Sequence, residues 1–413
     1  MSSSLALHGD NIIDLAGSPT RRGPQMREAP SRAGTLWCEG GRVETTGTSA
    51  LVEVDASGLT VVPGFVDCHT HLPFFGWRAD EDRARLSGTR YEDIHGRSGG
   101  IFRSAQLLAD ASDAEVLDFS SGLARSMLRT GTTTFEAKSG YGLSVEGELR
   151  QLRLARSLAE EAPQVVTATC LAAHAVPQGM SAGEWVGIAA NELLPAAASA
   201  GLCRAVDVYV ETIAFQLEHA ARLTTVAEDF GLMMRIHADQ LSDGQAGAFA
   251  ARWRFRSADH LNHTSSDAVG DLAGSETAAV LLPGATFTLR QKKKPPARDL
   301  VEAGAIVALG TDLNPGTSPI ASLPYTMALA CRLYGLDPIE ALIAATVNSA
   351  YVLGLQDEVG RLEPGMRADA VVLGTPSLDD LVYRPDHNFV AIVVCGGEVV
   401  HVAPGFEGRV TSR

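Results

Sequence analysis

Between residues 61 and 312, short apolar runs rich in β-branched residues alternate with helical patterns, and this alternation leaves few folds open to the chain. The runs cover 61–66, 132–138, 167–174, 205–211, 233–237, 257–260, 279–282 and 306–312. Apolar residues recur at helical spacing over 146–160 and 182–200 between them. Eight β-runs with intervening helices predict an α/β fold, a (β/α)8 TIM-type barrel spanning residues 61–358. A doubly wound open sheet is the alternative, but no Gly-rich dinucleotide fingerprint follows the first run.

The two chain ends differ from the middle. Residues 1–60 carry short strand-like runs at 34–38, 42–44 and 50–54, with a Gly40-Gly41 turn. Residues 359–413 repeat that character at 369–373, 390–394 and 398–401, around Gly396-Gly397. Neither end holds enough apolar surface to stand alone. Both are therefore expected to pair into one small β-sandwich domain.

A net charge of −15 argues against a nucleic-acid partner, which calls for a basic face. Three of the four lysines stand together at Lys292, Lys293 and Lys294, read as a solvated loop. The six cysteines are scattered without a CxxC pair and behave as small hydrophobes. No charged-then-apolar leader and no membrane-length apolar run is visible, so a cytoplasmic protein without membrane contact is expected.

In such barrels, chemistry collects at the C-terminal ends of the strands. Here those ends carry His69, His71, Lys138, His174, Glu211, His237, His260 and Asp312, so five of the eleven histidines fall there. His69 and His71 are two residues apart on an extended chain and project to one face. With His237 and Asp312 as third and fourth ligands they suit one divalent metal per chain, Zn²⁺ or Fe²⁺/Fe³⁺, with water completing the shell. His260 is placed to act on what the metal activates, or to orient a ligand. Lys138 leads into a turn and is read as structural or substrate-proximal rather than as a bridge between two metals.

The stretches PGFVDCHTH (63–71), EAKSGYGLSVEGEL (136–149), AAHAVP (172–177), ETIAF (211–215), IHADQLSD (236–243), SADHLNH (257–263), LLPGATFTLR (281–290) and TDLNPGTSP (311–319) occur in this order. Together they resemble the amidohydrolase superfamily and, within it, the imidazolonepropionase family. That resemblance implies hydrolysis of the ring amide of 4-imidazolone-5-propanoate to N-formimidoyl-L-glutamate, a step of histidine degradation. It implies that Arg78 holds the substrate's propionate, a task suited to a planar guanidinium. Tyr91, Tyr141 and His174 would line the ring pocket, Gln240 would contact the ring, and Asn314, Gly316 and Thr317 would bind the product end. His260, Asp312 and Gln240 form the implied catalytic set. Asp312 or His260 is the expected proton acceptor, and His260 with the metal is the expected oxyanion partner if Asp312 takes the proton.

Some positions depart from that pattern. Phe75 and Trp77 replace glycines expected before Arg78, Ser98 replaces another glycine, and Val210 stands where Cys is expected. Gln240 occupies a place where some relatives carry Glu, so it cannot be a general base. Three other readings compete: a hydantoin- or thiohydantoin-propionate hydrolase, a heterocycle deaminase that would need Asp239 turned inward, and an inactive barrel. Exposed barrel helices also make a twofold homodimer the expected assembly.

Overall fold

Gly64 separates the two parts of the molecule. The computed structural model describes residues 4–89 and 99–412. In it the strand expected over 61–66 divides: Val52–Pro63 belongs to the small sheet, and Phe65–Asp67 begins the barrel. A Cβ at residue 64 would lie 2.1 Å from Thr133 Oγ1, so only glycine lets the chain cross this close to the neighbouring barrel strand. Val61 and Val62, read from sequence as barrel residues, serve the small sheet because its ladder with Ala370–Leu373 runs on to Pro63.

Both chain ends build the small sheet, as their composition predicts. Its path runs Glu398–Val402, Val390–Cys395, Ala370–Leu373, Val52–Pro63, Ser4–Ile13, Ser31–Glu39 and Arg42–Glu44, with Val410–Ser412 also on Val52–Pro63. Ser4–Ile13 and Val410–Ser412 are strands that the sequence reading passed over. Leu5, Leu7, Ile12 and Val54 from the first end pack with Ala370, Val372 and Ile392 from the second in one core. Burial is continuous over Leu5, Ala6 and Leu7 and again over Ile12 and Ile13, so this strand is covered on both faces along most of its length.

The second sheet holds eight parallel strands in sequence order: Phe65–Asp67, Thr132–Lys138, Val165–Ala173, Ala205–Tyr209, Met233–Ala238, Ser257–His260, Ala278–Leu281 and Val307–Leu309. Between first and last, closure is made beyond the strands, where Thr70 and Leu313 form a parallel bridge. Below it the Asp67 carboxylate accepts from Thr311 N at 3.0 Å and Thr311 Oγ1 at 2.6 Å.

Helices cover the barrel outside. Val145–Glu161 is N-capped by Ser144 and buries Leu149, Leu152, Ala155 and Leu158 at helical spacing. The helix expected over 182–200 is broken into Ala182–Ile188, a π-turn over Ala189–Leu193, and Leu194–Ser199. Pro195 explains the break, because it has no N–H to donate and its ring would crowd a regular turn. No helix among the described residues is long and apolar enough to cross a membrane.

Candidate active site

The C-terminal rim of the barrel brings His69, His71, His237, His260 and Asp312 together. One ligand atom from each of His69, His71 and His237 falls within 4.8 Å of the others, and the same holds for His69, His260 and Asp312. Asp312 Oδ1 lies 3.2 Å from His71 Nε2 and 3.6 Å from His69 Nε2. His260 follows the inward-facing Asp259 and would point outward on a regular strand. Its φ of +79° turns the chain at that point, and its ring centroid comes within 5.3 Å of His237's.

Two of these imidazoles are held from behind. His69 Nδ1 meets Asp259 Oδ2 at 2.5 Å, and His237 Nδ1 meets Asp207 Oδ1 at 3.1 Å. A carboxylate on Nδ1 fixes the tautomer that leaves Nε2 with a free lone pair. Both Nε2 atoms are buried with no hydrogen-bond partner among the described residues. Burial pushes His69 and His71 well below the usual imidazole range, helped by neighbouring cations, so both are neutral, the form a metal takes. Buried nitrogens stripped of protein partners and facing a carboxylate fit a divalent cation.

Burial raises the Asp312 carboxyl, against the pull of His260 and His237. Burial also would raise Asp207, but His237 and Lys138 beside it hold that carboxyl well below its usual range. Burial lowers His260 to about 3, leaving a neutral ring whose Nδ1 has no hydrogen-bond partner among the described residues.

A cavity opens on His71, His237, His260 and Asp312, lined also by Arg78, Ile101, Tyr141, His174, Tyr209, Gln240, Asn314 and Thr317. The guanidinium of Arg78 is buried, and its Nε and Nη1 have no hydrogen-bond partner among the described residues; Glu81 Oε2 stands 3.5 Å from Nη1. A buried cation left short of acceptors is a receptor for an anion. Gly316 packs behind it, where a Cβ would come within 1.9 Å of Arg78 Nη2.

The KSGYGL stretch is a turn built by the following helix. Glu148 accepts the N–H groups of Gly140, Gly142 and Leu143 at 2.8–2.9 Å, and Gln151 Oε1 accepts that of Tyr141 at 3.0 Å. Gly140 O in turn meets His174 Nδ1 at 3.1 Å, which stacks the His174 ring on His71.

Other expected site residues fall differently. Tyr91 and Ser98 lie outside the described residues. The side-chain oxygen of Asn314 accepts from Gly316 N, Thr317 N and Thr317 Oγ1, and its amide donates to Asp312 O at 2.7 Å. That side chain shapes the turn and at the same time lines the cavity. Phe75 and Trp77 point away from the cavity, against Phe119. Val210 is buried behind the rim. Asp239 is turned into its own loop, accepting from Gly244, Ala246, Gly247 and Thr264. The inward turn a deaminase would need is absent. Lys138 lies between Glu136 and Asp207, at 2.8 and 2.7 Å, and is not free to bridge metals.

Sequence reasoning missed Asp207, Asp259, Tyr209 and Ile101. A signal existed for the first two: each is an acid inside an apolar run, on the inward parity of its strand.

Residues 60–400 match the model of the amidohydrolase family. An imidazolonepropionase of Rubrobacter xylanophilus is 43% identical over 96% of this chain and 90% of its own. One from Symbiobacterium thermophilum is 40% identical, with 96% of each chain covered. Among solved structures, a zinc-bound adenosine deaminase from Xanthomonas campestris superposes with a TM-score of 0.69 at 17% identity, covering 97% of this chain and 93% of that one. An E. coli guanine deaminase gives 0.70 at 17% identity, covering 97% and 99%. At such identities the two structures speak to the fold alone, whereas the sequence matches reach further: this chain belongs to the amidohydrolase family and, within it, to the imidazolonepropionases.

Proposed function

We propose that the chain hydrolyses the ring amide of 4-imidazolone-5-propanoate to N-formimidoyl-L-glutamate, using one divalent metal, Zn²⁺ or Fe²⁺, on His69, His71, His237 and Asp312. The observation that carries this reading is the buried Arg78 guanidinium, whose Nε and Nη1 have no hydrogen-bond partner among the described residues and which only Glu81 approaches there as an ion pair, in the cavity that also exposes the histidine cluster. A substrate must then present a carboxylate at one end and a hydrolysable group at the other. A bound metal supplies Lewis-acid polarisation and lowers the pKa of a water from 15.7 towards about 7.

The protein's own part follows from position. Arg78 pairs with the propionate, and Tyr141 and His174 border the ring. Gln240 lines the same cavity and contributes a neutral amide, which orients the ring without exchanging protons. Asp312 keeps a carboxylate oxygen beside the histidines, so it accepts the proton of the attacking water. His260, a neutral ring at the same spot, donates a hydrogen bond to the carbonyl oxygen as charge develops there. Asp312 then returns its proton to the ring nitrogen as the C–N bond breaks. Water's hydroxyl thus ends on carbon and its proton on nitrogen.

Lys138's engagement by two carboxylates favours one metal over two. The expected cytoplasmic location and twofold dimer belong to the same proposal, and sedimentation of the purified protein tests the latter. The decisive experiment follows ring absorbance of imidazolone propionate with metal-replete enzyme. Turnover with formimidoyl-glutamate formed is expected. No turnover there, with turnover of a hydantoin propionate, would overturn the substrate assignment.

A further inference from the structure

We infer that a belt of buried ion pairs joins the two carboxylate-held metal histidines. Glu136, Lys138 and Arg235, which line no part of the cavity, are on this view positioning residues for the metal site. The inference rests on reading His69, His71, His237 and Asp312 as metal ligands.

The contacts form an unbroken chain. Asp259 Oδ2, which holds His69, accepts from Arg235 Nη2 at 2.7 Å. The other arm of the same guanidinium, Nη1, donates to Glu136 Oε1. Glu136 Oε2 lies 2.8 Å from Lys138 Nζ, and that ammonium donates to Asp207 Oδ2 at 2.7 Å. Asp207 Oδ1 holds His237. Charges alternate along the belt, and its side chains are at most 4% exposed from His69 to His237.

Three features make this more than filling of the barrel interior. First, burying five charged groups is costly unless each is paired, and apolar residues of similar volume would fill the space at no such cost. Second, each acid at the ends of the belt has two jobs: one carboxylate joins both a cation and the Nδ1 of a histidine. A shift of Arg235 or Lys138 therefore moves an imidazole that neither of them touches. Third, three carboxylates against two cations leave one negative charge in excess beneath the histidines. A divalent cation in front of them, together with Asp312, balances that excess. Lys138, set aside in the sequence as a residue beside a turn, is then an internal cation whose place is inside the barrel.

The test uses the full-length protein and Zn²⁺ itself. Glu136→Gln keeps the shape of the link and removes its charge; Lys138→Met removes the ammonium and is the second variant if the first does not fold. Chelator competition should show Zn²⁺ affinity reduced about 10–100-fold in either, the range for residues that orient metal ligands. The visible bands of Co²⁺-loaded protein should shift, because the histidine geometry changes. Glu136→Asp, which restores charge at a shorter reach, should recover part of the affinity. A belt that merely supports the fold would lower the melting temperature of metal-free protein and leave affinity and cobalt bands as in wild type. That result, in a folded variant of a wild type that binds one Zn²⁺, overturns the inference alone. A wild type that binds no Zn²⁺ overturns the metal reading with it.

Discussion

The backbone N–H of Asp312 donates to the carbonyl oxygen of His69 at 2.9 Å, and His71 N donates to Leu313 O at the same distance. The seam between first and last strands is thus closed by the residues proposed to hold the metal. Asp312 reaches this position with a φ of +54°, a left-handed conformation that Asp tolerates better than most side chains. Its backbone closes the barrel while its carboxylate faces the cavity.

The two jobs can be separated. Asp312→Asn keeps the backbone contact and the short polar side chain that suits this φ, but cannot take a proton. Loss of turnover by about 10²–10⁴-fold is expected, the usual worth of a positioned general base. Thermal unfolding of the metal-free variant should stay close to wild type. Substantial residual turnover in steady-state assays would remove Asp312 from the role of proton acceptor.

Arg78 and Gly316 should fail together. Arg78→Met removes charge-assisted hydrogen bonds worth roughly 1.5–3 kcal/mol, about 10–100-fold, chiefly in KM for a carboxylate-bearing substrate. Gly316→Ala acts at one remove, since its Cβ would displace the guanidinium it lies behind. A rise in KM is expected there as well, with little further effect once Arg78 is already Met. Comparing the substrate with its methyl ester checks the assignment: both variants should lose their preference for the free acid.

The barrel, the closure from both chain ends and the clustering of His69, His71, His237 and Asp312 were legible because they rest on periodicity and on polar residues at strand ends. Less visible was everything that depends on contacts across the barrel. Asp207 and Asp259 sit in runs that read as strands, and nothing local says that each meets a histidine from another strand. Asn314 shows the opposite limit: its side chain closes a local turn while also lining the cavity, and a motif does not separate the two uses. Phe75 and Trp77 looked disruptive next to Arg78, yet neighbours on a chain face different ways, and theirs is the side of Phe119.

Glu148 gives a prediction about the turn that carries Tyr141. Three backbone N–H groups converge on its buried carboxylate. Glu148→Ala would leave them unsatisfied, at a cost of roughly 1–3 kcal/mol for each group left buried without a partner. A marked drop in melting temperature is expected, and kcat/KM should fall further than stability alone explains, because Gly140 also positions His174. An Ala variant that melts like wild type would mean that water replaces the carboxylate and that the turn is not held from the helix.

Asp369 yields a dependence on pH away from the active site. It lies where the small sheet meets the barrel, accepting from Gly396 N at 2.7 Å and Arg367 Nε at 3.0 Å. Burial pushes its carboxyl up to about 6, against the pull of Arg367, which is one-third exposed and correspondingly screened by solvent. An unfolded Asp titrates near about 3.9. The folded chain therefore binds this proton more tightly than the unfolded one. The stabilisation is complete below the unfolded value and is lost as pH rises through about 6. The gap between the folded and unfolded values corresponds to roughly 3 kcal/mol at most. Asp369→Asn cannot titrate, so the stability of wild type relative to this variant should decline between about pH 4.5 and 7 and level off above that, where Asp369 is ionised. Other titrating groups, common to both chains, cancel in the difference. Denaturant unfolding of metal-free protein across that range measures it, and a flat difference would show that Arg367 keeps the carboxylate ionised throughout.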